Sequence, residues 1–441
     1  MRVARDAVLV GESVVYARPC PVADRFAIRA SAAFDGTGGP VVREAALLVE
    51  AGRVVALGPA RQIGELGDEW TVLTFPDHTL LPGLIDCHVH LMLEGDGRPL
   101  ESIIDETDEQ LLLRAARNAA AHLAGGVTTV RDLGSRGRVA FGLREAARLS
   151  GVPAPRLILS GPPITPPGGH CAFFGIECGS PEAIRGAARR LLQEGADLLK
   201  LMATGGLTRG TSHHTPGLPT ETLKVAVEDA HRVGRPTTAH ASSIRGIRNT
   251  LAAGIDCIEH AVFLDDGGAL TFDEPLAEEI AKGGVFVCPT LQEAYRGLSP
   301  LDEGGQSLRE PERAELVALR ERKLSNIGNA ARLHGAGVRL VAGSDAGSRV
   351  TPHGDLALGV ELMTRAGLSA AEAIYSATGL AAEACGIADE VGTILPGNAA
   401  DLLVVGGDVA ADIRALANVR AVFQTGRLAA GRRPENTREA R

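Results

Sequence analysis

The chain has 441 residues, of which 45% are hydrophobic, 22% charged and only 3% aromatic, with a formal net charge of −9. That length holds a large domain and a smaller companion in an ordinary globular balance. The acidic charge excludes a basic nucleic-acid surface, and no apolar run approaches the ~20 residues of a membrane span.

The N-terminus, MRVARDAVLVGESVVYARPC, carries an apolar run broken by Gly11 and Glu12, so it lacks the core of a signal peptide. Residues 1–25 read as an extension. Residues 26–80 read as short strands separated by glycine-rich turns, and GTILPGNAADLLVVGGD and VRAVFQTGRLAAG repeat that texture near the other end. The expectation is one small β-sandwich domain built from both chain ends, 26–80 plus 390–441. The seven cysteines are scattered with no CxxC pair, which points to a reducing compartment. A cytoplasmic location follows as an expectation.

The middle, 81–389, alternates apolar runs with helix-like stretches. The runs are LLPGLIDCHVH, VTTVRDL, RLILSG, ADLLKLMA, PTTAHA, DCIEHA, GVFVCPTL and RLVAGSDAG. Glycines at 125, 195, 234, 254 and 337 mark helix ends. Eight strands, each followed by helix, predict an α/β fold of the closed (β/α)8 TIM-barrel type. A doubly wound sheet would want a glycine-rich phosphate loop after its first strand, and PGLIDCHVHL is not one. PTLQEAYRG and the helical stretch PERAELVALRERKLSNIGNAARLHGAG (311–337) are expected to shape the pocket rim.

Chemistry in such a barrel gathers at the strand C-termini. The first run ends in His88 and His90, which period-two alternation puts on one side of the strand. The fourth contains Lys200, the fifth ends in His240, the sixth in His260 and the eighth in Asp345. Taken singly, each has an ordinary explanation: a satisfied core histidine, a lysine paired with a carboxylate, a turn aspartate. Together, in this order, they form a metal-ligand set. A bare ammonium among Leu198, Leu199, Leu201 and Met202 is costly to bury. A neutral amine that takes up carbon dioxide becomes an anionic carbamate with two oxygens for two cations.

PGLIDCHVHL, the lysine of LLKLMATGG, TAHA, IEHA and GSDAG resemble the metal-site motifs of the amidohydrolase superfamily. GVTTVRDLG, GGH, CPTL and PHGD resemble its branch of imidazolonepropionase-like proteins, Xaa-Pro dipeptidases and Arg/Lys carboxypeptidases, with ochratoxin- and phenylurea-type hydrolases. The likeness runs from about residue 26 to 427. It implies two divalent metal ions, zinc above all. His88, His90, Lys200 and Asp345 would hold one ion, and Lys200 as N6-carboxylysine, His240 and His260 the other. A bridging hydroxide would attack an amide or related C–N bond of a small molecule, with Asp345 moving the proton. It also implies a homo-oligomer.

His170 in PPGGH, Tyr295 after CPTL and His353 in TPHGD are candidate substrate contacts. Arg209, His213 and His214 lie in the loop after Lys200 and could meet a substrate carboxylate. That loop continues TPGLPTE, without the aromatic hydroxyl usual in the peptidases, which argues against dipeptidase specificity and favours a less typical, bulkier or more apolar substrate. The expected substrate is a peptide-like, N-acyl amino acid or aryl amide, with a urea, carbamate, lactone or ester at the same site as the alternative. Deamination or ring opening of a cyclic amidine is disfavoured, because His240 is followed by Ala241, Ser242 and Ser243 rather than a His-x-x-Glu pattern. A non-enzymatic scaffold is disfavoured because all six ligand types are present.

Overall fold

The structure, a computed structural model, describes residues 7–149, 151–296 and 324–432. The chain opens with strands β1 (Ala7–Val10), β2 (Ser13–Pro21), β3 (Arg25–Ala33), β4 (Val42–Glu50) and β5 (Arg53–Pro59), a short helix α1 (Ala60–Ile63) and the long strand β6 (Thr71–Pro82). It then alternates: β7 (Leu84–Val89), α2 (Asp108–Ala124), β8 (Val127–Asp132), α3 (Val139–Arg148) and β9 (Arg156–Leu159). Two short strands, β10 (Ile164–Thr165) and β11 (Ile176–Glu177), precede α4 (Pro181–Gln193), β12 (Leu199–Met202), α5 (Thr220–His231), β13 (Thr237–Ser243) and α6 (Ile244–Ala253). Then come β14 (Cys257–Leu264), α7 (Glu274–Lys282), β15 (Phe286–Cys288), α8 (Leu291–Arg296) and β16 (Arg339–Leu340). Helices Leu356–Arg365, Ala370–Ser376 and Gly379–Ala384 lead to β17 (Leu402–Gly406), β18 (Val419–Gln424) and β19 (Arg427–Gly431).

The middle of the chain is α/β with parallel sheets. β7, β8 and β9 pair in parallel, as do β10, β12, β13, β14, β15 and β16. Every apolar run singled out in the sequence holds one of these strands. Backbone bonds also join the two sheets. Cys87 N–H donates to Ala342 O at 3.0 Å and Asp345 N–H to His88 O at 2.8 Å, beside the far end of the larger sheet. Asp197 N–H donates to Leu159 O at 2.8 Å on the other side. The strands are buried on both faces, six of six residues in β7 and in β8, which is why they read as continuous apolar runs rather than alternating ones.

The helices start where the sequence caps them. Thr107 and Gln110 form a reciprocal capping box at the start of α2, and Ser243, the last residue of β13, caps α6 directly. Gly195, Gly234, Gly254 and Gly337 have positive φ as their cap positions require, but after α2 it is Gly126 (φ 84°) rather than Gly125 that turns left-handed. Arg185 and Arg189 of α4 reach Asp229 of α5, whose carboxylate is buried and also meets Arg232. Burial alone would raise the Asp229 pKa, but the hydrogen bonds and charges of these arginines hold it below its ordinary value. A depressed carboxylate stabilises the fold above its unfolded pKa of about 4, and that contribution is lost as pH falls through the folded value. Asp229→Asn is therefore expected to cost about 1 kcal/mol at pH 7, discounted because the arginines are half exposed. Urea titrations of both proteins should show the difference narrowing below about pH 4.

Both chain ends contribute to one nine-stranded sheet of order β1-β2-β19-β18-β17-β6-β3-β4-β5, antiparallel except for the β3–β6 pair. Phe26 of β3 stacks near Phe423 of β18 at 6.0 Å between ring centroids, within a core of its own. The structure corrects the expectation for residues 1–25. From Ala7 onward they are strands β1 and β2, and β2 pairs with β19 at Cys20–Leu428 and Val15–Ala430. The β2–β19 pairing therefore joins the two ends of the chain in one sheet. Residues 311–323 of the expected rim helix lie outside the described residues, while 324–335 is helical. Among the described residues, no helix is long and apolar enough to cross a membrane.

Candidate active site

A cleft enclosing about 1030 Å³, its open mouth included, lies where the parallel strands end. His88, His90, Lys200, His240, His260 and Asp345 all line it, as do His170 and His213. Register explains the convergence. His88 is the penultimate residue of β7, Lys200 pairs with Thr238, and Met202 pairs with His240 on the next strand. The imidazoles pack ring to ring, with centroids 5.3 Å apart for His88–His90, 5.1 Å for His88–His260 and 4.4 Å for His240–His260.

Hydrogen bonds fix which nitrogen of each ring faces the cleft. His88 Nδ1 donates to Glu259 Oε2 at 2.8 Å, which leaves Nε2 with its lone pair. Glu259 is wholly buried and is held by Arg131 Nη2 at 2.8 Å. Burial would raise its pKa, but Arg131 and His88 keep it well below the usual carboxylate range. His240 Nε2 donates to Gly205 O at 3.0 Å, leaving Nδ1 as acceptor, and His260 Nδ1 bonds Thr290 Oγ1 at 2.8 Å. Burial, then the neighbouring charges, push His240 and His260 well below the usual histidine value, so both rings are neutral.

Two buried polar atoms stand out. Among the described residues, Lys200 Nζ has no hydrogen-bond partner, and neither has Asp345 Oδ1. His90 Nε2 lies 3.3 Å and His88 Nε2 3.5 Å from that oxygen, with no hydrogen bond assigned to it. Such orphaned groups are costly unless something joins them. An unprotonated His88 Nε2 facing a carboxylate oxygen is the arrangement a cation satisfies. His88, His260 and Asp345 offer ligand atoms mutually within 4.8 Å, as do His88, Glu259 and Cys288. The first grouping joins residues that sequence reasoning had divided between two ions. Burial lowers the Lys200 pKa, which favours the neutral amine. The backbone is strained here: His260, Thr290, Asp345 and Arg349, all lining the cleft, have positive φ.

The outer candidates divide. His170 lines the cleft 4.6 Å from the His240 ring, its Nδ1 bonded to Thr208 Oγ1 at 3.0 Å, and burial brings its pKa down to about 3. His213 also lines it, 6.2 Å from the His240 ring. Tyr295 and His353 are not among the residues that line it. The Tyr295 hydroxyl accepts a bond from Arg365 at 3.4 Å, under the same guanidinium that lies 5.2 Å from its ring. His353 faces inward, donating through Nε2 to Leu93 O at 3.0 Å and meeting His122 Nε2 at 3.1 Å. It thereby supports the segment after His90. Arg209 and His214 are likewise outside the lining.

Sequence reasoning missed Glu259 and Arg131, which form a buried pair beneath His88. Each is a charged residue inside an apolar strand run, the same signal that drew attention to Lys200. It also missed Glu293, Asn326 and Arg349, which line the cleft.

Residues 79–429 match the model of the amidohydrolase family. The chain is 26% identical over 417 residues to ochratoxinase of Aspergillus niger, covering 88% of this chain and 82% of that one. It is 31% identical over 300 residues to an uncharacterized protein of Mycobacterium tuberculosis, covering 68% and 72%. Its fold is similar to the crystal structure of a Xaa-Pro dipeptidase with bound methionine in the active site, with a TM-score of 0.80, 26% identity, and coverage of 92% of this chain and 100% of that one. A family match over most of the chain, on a cleft whose buried histidines, lysine and aspartate converge, makes this protein a member of the amidohydrolase family and a hydrolase of carbon–nitrogen bonds.

Proposed function

We propose that the chain is a binuclear metal-dependent amidohydrolase that cleaves an amide bond of a peptide-like, N-acyl amino acid or aryl amide substrate. In this reading the parallel strands form a closed (β/α)8 barrel, and the nine-stranded sheet folds as a sandwich-type companion domain. The observation that carries it is the pair of buried, unpartnered polar atoms, Lys200 Nζ and Asp345 Oδ1, in a cleft floored by four histidines.

His88, His90 and Asp345 would hold one divalent ion and His240 and His260 the other. Lys200, as N6-carboxylysine, would be shared between them. Two such ions, zinc by the chemistry of the donors, supply Lewis acidity and a water ionised near neutral pH. The protein's own part is proton transfer and positioning. Asp345 takes the proton of the attacking water and returns it to the leaving nitrogen. Glu259 holds His88 in one tautomer, and Thr290 does the same for His260. His170, neutral and at the cleft wall, donates to the substrate carbonyl oxygen. The similarity to a Xaa-Pro dipeptidase structure supports a peptide-like amide substrate.

The test is metal analysis and turnover together. Protein grown with zinc and bicarbonate is expected to carry two ions per chain and to hydrolyse members of a panel of dipeptides, N-acyl amino acids, aryl amides, phenylureas and lactones. Lys200→Ala is expected to lose at least one ion and all measurable turnover. Full metal content in Lys200→Ala would remove the lysine from the centre. Turnover of phenylureas or lactones alone would replace the amide assignment.

A further inference from the structure

The cleft is polar at its floor and apolar along its wall, where Leu93, Leu100, Phe174, Met202, Leu207 and Val262 stand. One charged pair interrupts the lining. Arg349 Nε lies 3.4 Å from Glu293 Oε1, with the two side chains 39% and 21% exposed. A pair at that distance and exposure contributes little to stability, so the fold gives no strong reason for it.

The backbone, in contrast, fixes Arg349 firmly. It follows Asp345 by four residues in a tight turn: Ser348 N–H donates to Asp345 O at 3.1 Å and Thr351 N–H to Ser348 O at 2.9 Å. Arg349 O accepts from Gly97 N–H at 2.6 Å, which ties the turn to the loop after β7. Arg349 itself holds φ at +47°, a conformation that non-glycine residues adopt only when the surroundings impose it. The partner, Glu293, sits in α8, three residues beyond Thr290, which orients His260. Both ends of the pair therefore ride on segments that also place residues of the cleft floor.

We propose that Arg349 receives the carboxylate of the substrate, and that Glu293 holds the guanidinium in place until substrate arrives. The substrate class is an N-acylated amino acid, or a peptide cleaved next to its free C-terminus, whose apolar group lies along the Leu93–Phe174–Met202 wall. This rests on the amide-hydrolase reading above and deepens it. A guanidinium presents a planar fork that matches a carboxylate with two bonds, which is a stronger match than its 3.4 Å contact to Glu293. The carboxylate replaces Glu293 as partner, and the displaced Glu293 turns toward solvent at the mouth.

Binding and turnover are read separately, on the metal-loaded protein. Calorimetry with 3-phenylpropionate and with 3-phenylpropanol measures the preference for a carboxylate without any reaction. The wild type is expected to favour the acid, Arg349→Ala to lose roughly 10- to 100-fold of that preference, and Arg349→Lys to recover part of it. Glu293→Gln, which removes the competing acceptor and its negative charge, is expected to bind the acid several-fold more tightly, the opposite direction. Turnover of an N-acyl amino acid is then compared with that of its methyl amide. The selectivity ratio in kcat/KM is expected to fall in Arg349→Ala, mainly through KM. An acid preference that survives in Arg349→Ala would place the carboxylate on the metal centre and overturn the proposal. So would a loss of affinity in Glu293→Gln. If the acid preference behaves as expected while no amide is hydrolysed, the anion site stands and the amide-hydrolase reading fails.

Discussion

Glu259→Ala is expected to destabilise the protein by about 3–5 kcal/mol, because it strands a buried guanidinium. Arg131 is 1% exposed and is left with only the Cys87 carbonyl at 2.7 Å and the Cys257 thiol at 3.4 Å. Neither is an anion, since burial raises the Cys257 thiol to about 12. The same substitution removes the acceptor for His88 Nδ1, so the ring is free to rotate or to change tautomer. Losing an outer hydrogen bond of this kind typically weakens metal affinity about 10- to 100-fold. Glu259→Gln keeps an oxygen for His88 and should retain most of the metal affinity while still losing much of the stability. Chemical denaturation and a competition titration against a chelator separate the two effects. A stability loss under about 1 kcal/mol in the alanine variant would mean that Arg131 reaches another anion or water.

The second large effect is catalytic. Asp345→Asn is expected to lower kcat by roughly a hundredfold to ten-thousandfold while the metal stays bound. Asparagine keeps the shape and one oxygen, and the other donors of the floor remain. What is lost is the basic oxygen that takes a proton. Asp345 Oδ1 is suited to that role because, among the described residues, no group within hydrogen-bond geometry donates to it, and the main-chain bond from Asp345 N–H to His88 O fixes where it stands. Steady-state kinetics with metal analysis on the same preparation decide the outcome. Turnover close to wild type would remove Asp345 from proton transfer. Parallel loss of metal and activity would make it a ligand alone.

The six residues of the cleft floor were legible in the sequence because strand ends announce themselves: an apolar run stops and a histidine, lysine or aspartate follows. The α/β order was legible for the same reason, each run being followed by a capped helix. The support beneath the floor was harder to see. Glu259 and Arg131 stand beside residues that were noticed, but a single sequence does not say which two buried charges face each other across three strands. That Tyr295 and His353 stand outside the cleft lining was not legible, because nearness along the chain to a strand end does not fix direction. The turn at 347–351 sends Arg349 into the cleft and His353 behind it, and that is decided by backbone φ values the residue types do not reveal. Strands β1 and β2 were missed because their pattern is weak by itself, and their partner β19 lies at the other end of the sequence.

That last pairing has a consequence for synthesis. β6 ends at Pro82, and its neighbour β17 begins at Leu402. While the ribosome makes everything between, β6 is paired on one side only, with β3, and β2 lacks β19 altogether. The nascent chain thus carries an open strand edge, backed by Leu80 and Leu81, through most of translation. Open edges of this kind recruit other chains. The protein's yield in a cell will therefore depend on how quickly its last thirty or so residues of strand close that edge, and on what shields it until then.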